Sequence, residues 1–135
     1  MSVPVLVDAN FIIDILRGEP AAIARAEAFD REGEQKVLPT PVVYEIATGL
    51  LYRRSRSEAA RFRAIAQRFD VASFDEVAAM KAAEIQAELM RIGALKGAVD
   101  VMIAGQAAAH GLTLVTRDKD LLSVADQVGL ATVTY

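Results

Sequence analysis

Val3-Pro4-Val5-Leu6-Val7-Asp8, at the start of the sequence, is an unbroken apolar run that ends in an aspartate. Leu112-Thr113-Leu114-Val115-Thr116-Arg117-Asp118 has a similar form. Such runs are typical of parallel strands that are covered on both faces. In open α/β sheets, ligands bind beyond the carboxyl ends of the strands. The two runs therefore predict a parallel α/β sheet that brings Asp8 and Asp118 to one edge.

The rest of the chain alternates between short strands and helices. Further strands are predicted at 36–39, 71–74 and 131–135, and the segments between them carry apolar residues at helical spacing. The longest predicted helix has apolar residues in steps of four and three and stops at Gly93. This alternation favours a central, mainly parallel sheet of about five short strands. We expect a single domain over residues 1–135.

Several polar residues are predicted to serve the ends or surfaces of helices. Asp75 precedes the longest helix as its N-cap, and Thr40 precedes a helix that begins at Pro41. His110 is predicted as a helix C-terminal charge or cap. Asp14 is predicted to lie on the surface of the first helix.

The composition of the 135 residues excludes several classes of protein. With 53% hydrophobic and 24% charged residues, the chain should be globular. It has no cysteine, which excludes disulfides, a cysteine nucleophile and thiolate zinc sites. No apolar stretch approaches the roughly 20 residues of a membrane span. The start, Met1-Ser2-Val3-Pro4, lacks the basic residues of a signal peptide, so we expect a cytoplasmic protein with no membrane association.

Positive charge is concentrated in one segment although the formal net charge is −3. Between residues 53 and 68, Glu58 is the only acidic residue. The arginines of the segment are Arg53, Arg54, Arg56, Arg61, Arg63 and Arg68. Such a segment either steers an anionic polymer towards the protein or forms an ordinary solvated helix face.

Two further acidic residues lie in the opening turns of predicted helices. Glu45 and Asp100 both stand in apolar stretches, where a charge is costly without a partner. Carboxylates gathered with Asp8 and Asp118 would repel one another, by roughly 4 kcal/mol for two at about 4 Å. Protonation or a bound cation must relieve that repulsion, and carboxylate oxygens suit Mg²⁺ and Mn²⁺. Taken singly, each acid is also compatible with a cap or a solvated helix position.

Four segments around these acids resemble, in order, the four motifs of PIN domains. In the first, an Asp ends strand one and a polar residue follows two positions later. The segments are Leu6-Val7-Asp8-Ala9-Asn10-Phe11-Ile12-Ile13-Asp14, Val42-Val43-Tyr44-Glu45-Ile46-Ala47, Val99-Asp100-Val101-Met102-Ile103-Ala104 and Leu114-Val115-Thr116-Arg117-Asp118-Lys119-Asp120-Leu121. Asn10 stands where Ser or Thr is common, and Leu121 where Phe is common. In length the chain is similar to VapC-type PIN toxins of type II toxin–antitoxin pairs.

The resemblance implies a three-layer α/β/α fold and a ribonuclease that depends on Mg²⁺ or Mn²⁺. One or two ions would activate water for attack on phosphorus, leaving 5′-phosphate and 3′-hydroxyl ends. The implied partners are an RNA substrate, a cognate antitoxin and a second copy of the chain. The implied catalytic and metal-holding residues are Asp8, Glu45, Asp100 and Asp118. Supporting hydrogen-bonding groups would be Asn10, Thr116 and Asp120. The concentration of positive charge, rather than the resemblance, makes Arg53, Arg54 and Arg56 the candidate RNA-binding residues.

Other functions have less support in the sequence. The single histidine excludes two-histidine ribonuclease chemistry within one chain. A haloacid-dehalogenase-type phosphatase needs a second Asp where this chain has Asn10. A phosphoacceptor signalling domain needs an acceptor Asp at the end of strand three and a Lys after the last strand, and no Lys follows residue 131. A PIN-like module that binds RNA or protein without cleaving stays open as the alternative.

Overall fold

The computed structural model describes residues 3–135, and within that range it has five strands and seven helices. The strands are β1 (Val5–Val7), β2 (Lys36–Pro39), β3 (Asp70–Ala72), β4 (Thr113–Val115) and β5 (Ala131–Val133). The helices are α1 (Ala9–Leu16), α2 (Pro20–Arg31), α3 (Thr40–Arg53), α4 (Arg56–Ala66), α5 (Glu76–Arg91), α6 (Ala98–Ala109) and α7 (Lys119–Val128). No helix in the described range is both long and apolar enough to cross a membrane.

The five strands form one sheet in the order β3-β2-β1-β4-β5. Every neighbouring pair is parallel, and Leu6 of β1 lies opposite Val37 of β2 and Leu114 of β4. The predicted α/β class and parallel sheet are therefore confirmed. Because β3 lies at an edge, the sheet differs from the 2-1-3-4-5 order of flavodoxin-like signalling domains.

The direction in which successive strands are added to the sheet reverses between β1 and β4. The chain builds the sheet outward from β1 to β3, then returns to add β4 on the other side of β1. Such a switch point opens a crevice outside the carboxyl ends of the two strands, where α/β proteins bind ligands. Asp8 directly follows β1, and Asp118 lies three residues beyond β4. The topology thus places both aspartates beside the crevice.

Apolar side chains from the central strands and surrounding helices form the core. All three residues of β1 are buried, and Phe11, Ile12 and Leu38 are fully enclosed. Burying a side chain of this size contributes roughly 1.5–3 kcal/mol. The N-terminal end of α1, which follows Asp8 directly, is consequently fixed by its own buried residues.

Helices α5 and α6 pack closely at Gly105. A Cβ atom on Gly105 would lie 2.6 Å from the backbone of Ala82, so glycine allows this approach. The apolar positions of α5 are buried at Ala82, Ile85 and Leu89, whereas Ile92, the C-cap residue, is exposed. This packing sets the position of α6 and of Asp100 in its first turn.

The predicted helix ends are confirmed in part. Asp75 caps α5, since its side chain accepts a hydrogen bond from Ala78 N at 2.9 Å. His110 is the C-cap of α6, and its ring Nε2 lies 2.9 Å from Asp75 Oδ2. The prediction of Thr40 as an N-cap was wrong, because α3 begins at Thr40 itself. Its hydroxyl instead accepts a hydrogen bond from Phe74 N at 3.2 Å, which joins α3 to the segment after β3.

Candidate active site

The four predicted acidic residues come from four elements and lie close enough to affect one another. The negative charges of Asp100 and Asp118 raise the pKa of Asp8. The charges of Asp100 and Asp8 likewise raise the pKa of Glu45. Asp8 and Asp100 therefore lie within electrostatic range of each other and of both Glu45 and Asp118, and these four residues are named the acidic cluster.

Asp8 combines a structural contact with a place in the acidic cluster. Its Oδ1 accepts a hydrogen bond from Phe11 N at 2.9 Å and so caps α1. Burial raises the pKa of Asp8, while hydrogen bonds from Phe11 N and the Thr116 hydroxyl lower it. The cap and the cluster are compatible, because capping engages Oδ1 and leaves Oδ2 for another partner.

Glu45 and Asp100 are the two members of the acidic cluster that lie within helices. Glu45 lies in the second turn of α3 and is exposed, whereas Asp100 lies in the first turn of α6 and is partly buried. Burial raises the pKa of Asp100, and the charge of Asp118 raises it further, while the Lys96 ammonium opposes both effects. Although the Glu45 side chain is largely exposed, partial burial of its carboxyl is the main cause of its raised pKa, and the charges of Asp100 and Asp8 add to it. Both carboxylates therefore favour the arrival of a cation.

Both carboxylate oxygens of Asp118 have partners. Oδ1 accepts hydrogen bonds from Asp120 N at 3.0 Å and Leu121 N at 3.2 Å, which makes Asp118 the N-cap of α7. Oδ2 lies 2.8 Å from Lys96 Nζ. Asp120 lies in the first turn of α7, with Oδ2 3.2 Å from the same Lys96 ammonium.

Thr116 joins two members of the acidic cluster. It is fully buried, and its Oγ1 accepts a hydrogen bond from Asp118 N at 3.1 Å. Its hydroxyl also hydrogen bonds to Asp8, which lowers the pKa of that carboxyl. Asn10, the other polar residue predicted to support the cluster, lies exposed in the first turn of α1. The placement of Thr116 matches a positioning role.

The chemistry of the acidic cluster fits a hard divalent cation. Its donors are carboxylate oxygens, which Mg²⁺ and Mn²⁺ prefer. The pKa values of Asp8, Glu45 and Asp100 are all raised, so the cluster carries repulsion that a cation would relieve. Within residues 3–135, however, no three acidic or histidine side chains already converge as a ligand set. The side chains would have to rearrange locally to hold an ion.

Asp14 is a buried acidic residue whose contacts were not predicted. Asp14, expected on the surface, is only 4% exposed. It accepts a hydrogen bond from the Tyr135 hydroxyl at 2.7 Å and pairs with Arg117 Nη2 at 3.1 Å. Because Arg117 stands between Thr116 and Asp118, this contact ties α1 to the segment that carries two site residues. The prediction failed because both partners lie more than 100 residues away in sequence.

A groove of about 380 Å³ lies between Glu45, one member of the acidic cluster, and part of the arginine segment. Glu45 lines it together with Arg53 and Arg61. Arg53 Nη2 lies 2.8 Å from Glu58 Oε2, and Arg61 donates to the backbone carbonyl of Leu16. Two of these arginines are thus partly engaged within the chain. The other candidates, Arg54 and Arg56, are exposed.

Comparison with known proteins places the chain in a family. The model of the PIN domain matches residues 5–127, which include all four members of the acidic cluster. The chain belongs to the PIN domain family. It is 30% identical over 118 residues to the tRNA(fMet)-specific endonuclease VapC of Shigella flexneri, covering 84% of this chain and 85% of that protein. The predicted resemblance to VapC-type PIN proteins is confirmed.

Solved structures agree with the family assignment. The chain is similar to DNA-bound VapBC from Salmonella typhimurium, with a TM-score of 0.79, 26% identity and 98% of each chain covered. A toxin–antitoxin complex from Klebsiella pneumoniae matches with a TM-score of 0.74 at 24% identity, with 96% of each chain covered. These matches confirm the PIN-like fold.

Proposed function

We propose that this PIN-domain protein is a divalent-metal-dependent endoribonuclease and the toxin of a toxin–antitoxin pair. The observation that carries the proposal is the acidic cluster at the switch point between β1 and β4. Neighbouring carboxylates help to raise the pKa values of Asp8, Glu45 and Asp100, and such a group of acids suits metal-assisted phosphodiester hydrolysis. The similarity to a VapC endonuclease supports the same conclusion.

The residues that would hold Mg²⁺ or Mn²⁺ are Asp8, Glu45, Asp100 and Asp118. A bound ion would supply Lewis acidity towards the phosphodiester and would make a water molecule acidic enough to lose its proton near neutral pH. Thr116 would hold Asp8 and Asp118 in position, because its hydroxyl accepts a hydrogen bond from Asp118 N and donates one to the Asp8 carboxylate.

Histidine has no place in this chemistry. His110 lies at the opposite end of α6 from Asp100, about 15 Å away along the helix at 1.5 Å per residue. Its ring pairs with Asp75, which caps α5. Proton transfer in the acidic cluster would therefore fall to carboxylates and water.

RNA is the proposed substrate, and transfer RNA is the class that the Shigella flexneri relative indicates. The groove supports this, since Glu45 of the acidic cluster shares it with Arg53 and Arg61. Phosphates bound along the arginines would lead the backbone of a single strand towards the carboxylates. Arg54 and Arg56 would extend that surface.

Two protein partners are also proposed. A cognate antitoxin is supported by the similarity to VapBC complexes. A second copy of the chain is supported by an exposed apolar face on α3. Tyr44, Leu51 and Tyr52 are 65%, 77% and 87% exposed and lie seven and eight residues apart, on one side of the helix. Exposed apolar side chains grouped in this way are typical of protein contacts.

Cleavage of RNA by metal-stripped protein tests the proposal. Adding Mn²⁺ or Mg²⁺ should restore cleavage of single-stranded RNA and of transfer RNA, and EDTA should abolish it. Products should carry 5′-phosphate ends, detected by ligation. RNA that binds but stays intact at millimolar Mn²⁺ would favour the silent PIN-like module.

A further inference from the structure

We propose that Lys96 is an internal counter-cation of the acidic cluster and competes with divalent metal for Asp118. The inference rests on the proposed function, because it supposes that the cluster takes up Mg²⁺ or Mn²⁺. Metal binding would then be an exchange in which the ion displaces an ammonium group already in place.

The position of Lys96 supports this assignment. It stands in the loop between α5 and α6, and its Nζ lies 2.8 Å from Asp118 Oδ2 and 3.2 Å from Asp120 Oδ2. The side chains of Lys96 and Asp118 are only 21% and 17% exposed. The pair is therefore shielded from solvent more than an ordinary surface salt bridge, and charge-assisted contacts gain strength under such conditions.

The contacts of Asp118 explain why the ammonium and a metal would compete. Oδ1 is held by the N–H groups of Asp120 and Leu121, which cap α7. Oδ2 is the oxygen left to face the cluster, and Lys96 contacts it. A metal ion that approaches Oδ2 within about 2.1 Å, the usual distance for Mg²⁺, would need the ammonium to move away.

The sequence offers a matched control for the charge itself. Lys119 is adjacent to Asp118 in sequence but is exposed at the start of α7. Replacing either lysine by glutamine removes one positive charge near the cluster. Replacing Lys96 alone also removes the direct contact with Asp118. The difference in Mn²⁺ affinity between the two variants therefore reports the direct contact of Lys96 with Asp118, and not merely the loss of a nearby positive charge.

Titration of metal-stripped full-length protein with Mn²⁺, followed by calorimetry, tests the inference without any measurement of cleavage. Lys96→Gln should bind Mn²⁺ about ten- to a hundredfold more tightly than wild type, given the usual strength of a hydrogen bond to a charged group. Lys119→Gln should stay within about twofold of wild type. Equal Mn²⁺ affinities for Lys96→Gln and wild type would overturn the inference. Weaker Mn²⁺ binding by Lys96→Gln would also overturn it, because Lys96 would then help to form the metal site.

A second measurement uses the unaltered protein and so does not depend on whether the variant folds. The chain has four lysines, and the ammonium resonance of Lys96 can be assigned by NMR with Lys96→Arg. During a Mg²⁺ titration that resonance should shift, and its half-maximal change should occur at the same Mg²⁺ concentration as that of the backbone amide resonance of Asp118. A Lys96 resonance that stays unchanged through Mg²⁺ saturation would overturn the inference and leave the proposed function standing. If wild type binds no metal, the proposed function and the inference both fail.

Discussion

The hydroxyl of Tyr135 donates a hydrogen bond to Oδ2 of Asp14 at 2.7 Å and so joins residues 121 positions apart in sequence. Arg117 Nη2 lies 3.1 Å from the same oxygen, and the Tyr135 ring packs edge-on against Phe11 with centroids 5.0 Å apart. Burial and the Asp14 contact raise the pKa of Tyr135, so the hydroxyl keeps its proton. The buried Asp14 carboxylate is thereby compensated by two partners.

Tyr135→Phe should destabilise the protein by about 1–2 kcal/mol, because Asp14 loses a donor while the ring still packs. Urea unfolding measures this change. Tyr44→Phe is the matched control, since Tyr44 is 65% exposed, and it should change the free energy of unfolding very little. Equal stabilities for Tyr135→Phe and Tyr44→Phe would show that the hydrogen bond to Asp14 contributes nothing.

Asp30→Asn should also destabilise the fold, by about 1–2 kcal/mol after allowance for the exposure of Asp30. Asp30 pairs with Lys36 and Arg68, and Lys36 is only 7% exposed. Removing the carboxylate leaves the Lys36 ammonium in a buried position, where it still lies over the Phe69 ring. Urea unfolding of wild type and Asp30→Asn at pH 7 measures this loss in the free energy of unfolding.

The pH dependence of that cost follows from the pKa of Asp30. Lys36, and to a lesser degree Arg68, hold the pKa of Asp30 below its usual 3.8. Stability from a lowered carboxyl pKa is fully present above the unfolded value and disappears as pH falls through the folded pKa. The gap between wild type and Asp30→Asn should therefore be constant from pH 7 to about 5 and shrink below about 4. A gap that widens on acidification would contradict this account.

Mn²⁺ should raise the melting temperature of metal-stripped wild type by mass action, because the folded state alone gathers the carboxylates. At one hundred times its dissociation constant the ion would add about 2.7 kcal/mol. Asp100→Asn should start from a higher melting temperature without metal, since this substitution removes a carboxylate whose pKa burial has raised. It should then gain less from Mn²⁺. Identical shifts in both proteins would place the ion elsewhere.

Replacing Arg53, Arg54 and Arg56 together by Ala should weaken RNA binding and flatten its salt dependence. Each arginine that binds a phosphate contributes about 0.7 to the slope of log affinity against log salt for a single strand, and its removal lowers the slope by that amount. Fluorescence anisotropy with the Asp100→Asn variant as background avoids cleavage. The control triple, Lys81, Arg91 and Arg31 to Ala, removes equal charge from residues outside the arginine segment. If both triples bind alike, the arginine segment is only a solvated face.

The acidic cluster could be predicted from sequence because its geometry follows from strand ends. Asp8 and Asp118 each follow a buried apolar run, and parallel strands bring such residues to one edge of the sheet. Glu45 and Asp100 were found through their apolar surroundings and the PIN motifs. The strand-end pattern thus located two of the acids, and the resemblance to PIN motifs was needed to complete the set.

Lys96 and Asp14 could not be predicted in the same way. The contact of Lys96 depends on how the short loop from Ile92 to Gly97 turns between α5 and α6, and loop geometry carries no periodic signal. The burial of Asp14 depends on Arg117 and Tyr135, which only the folded sheet brings near. In both cases the contact depends on a residue from another part of the chain, which the sequence pattern of the local segment does not indicate.

The most direct test of the account compares RNA cleavage by Asp8→Asn, Asp100→Asn and Asp126→Asn. Each variant removes one carboxylate at nearly constant size, and Asp126 is exposed on α7 outside the acidic cluster. With Mn²⁺ present, Asp8→Asn and Asp100→Asn should lose at least about a hundredfold in rate while circular dichroism shows them folded, and Asp126→Asn should match wild type. Full activity in folded Asp8→Asn and Asp100→Asn would contradict the assignment of the acidic cluster as the catalytic centre.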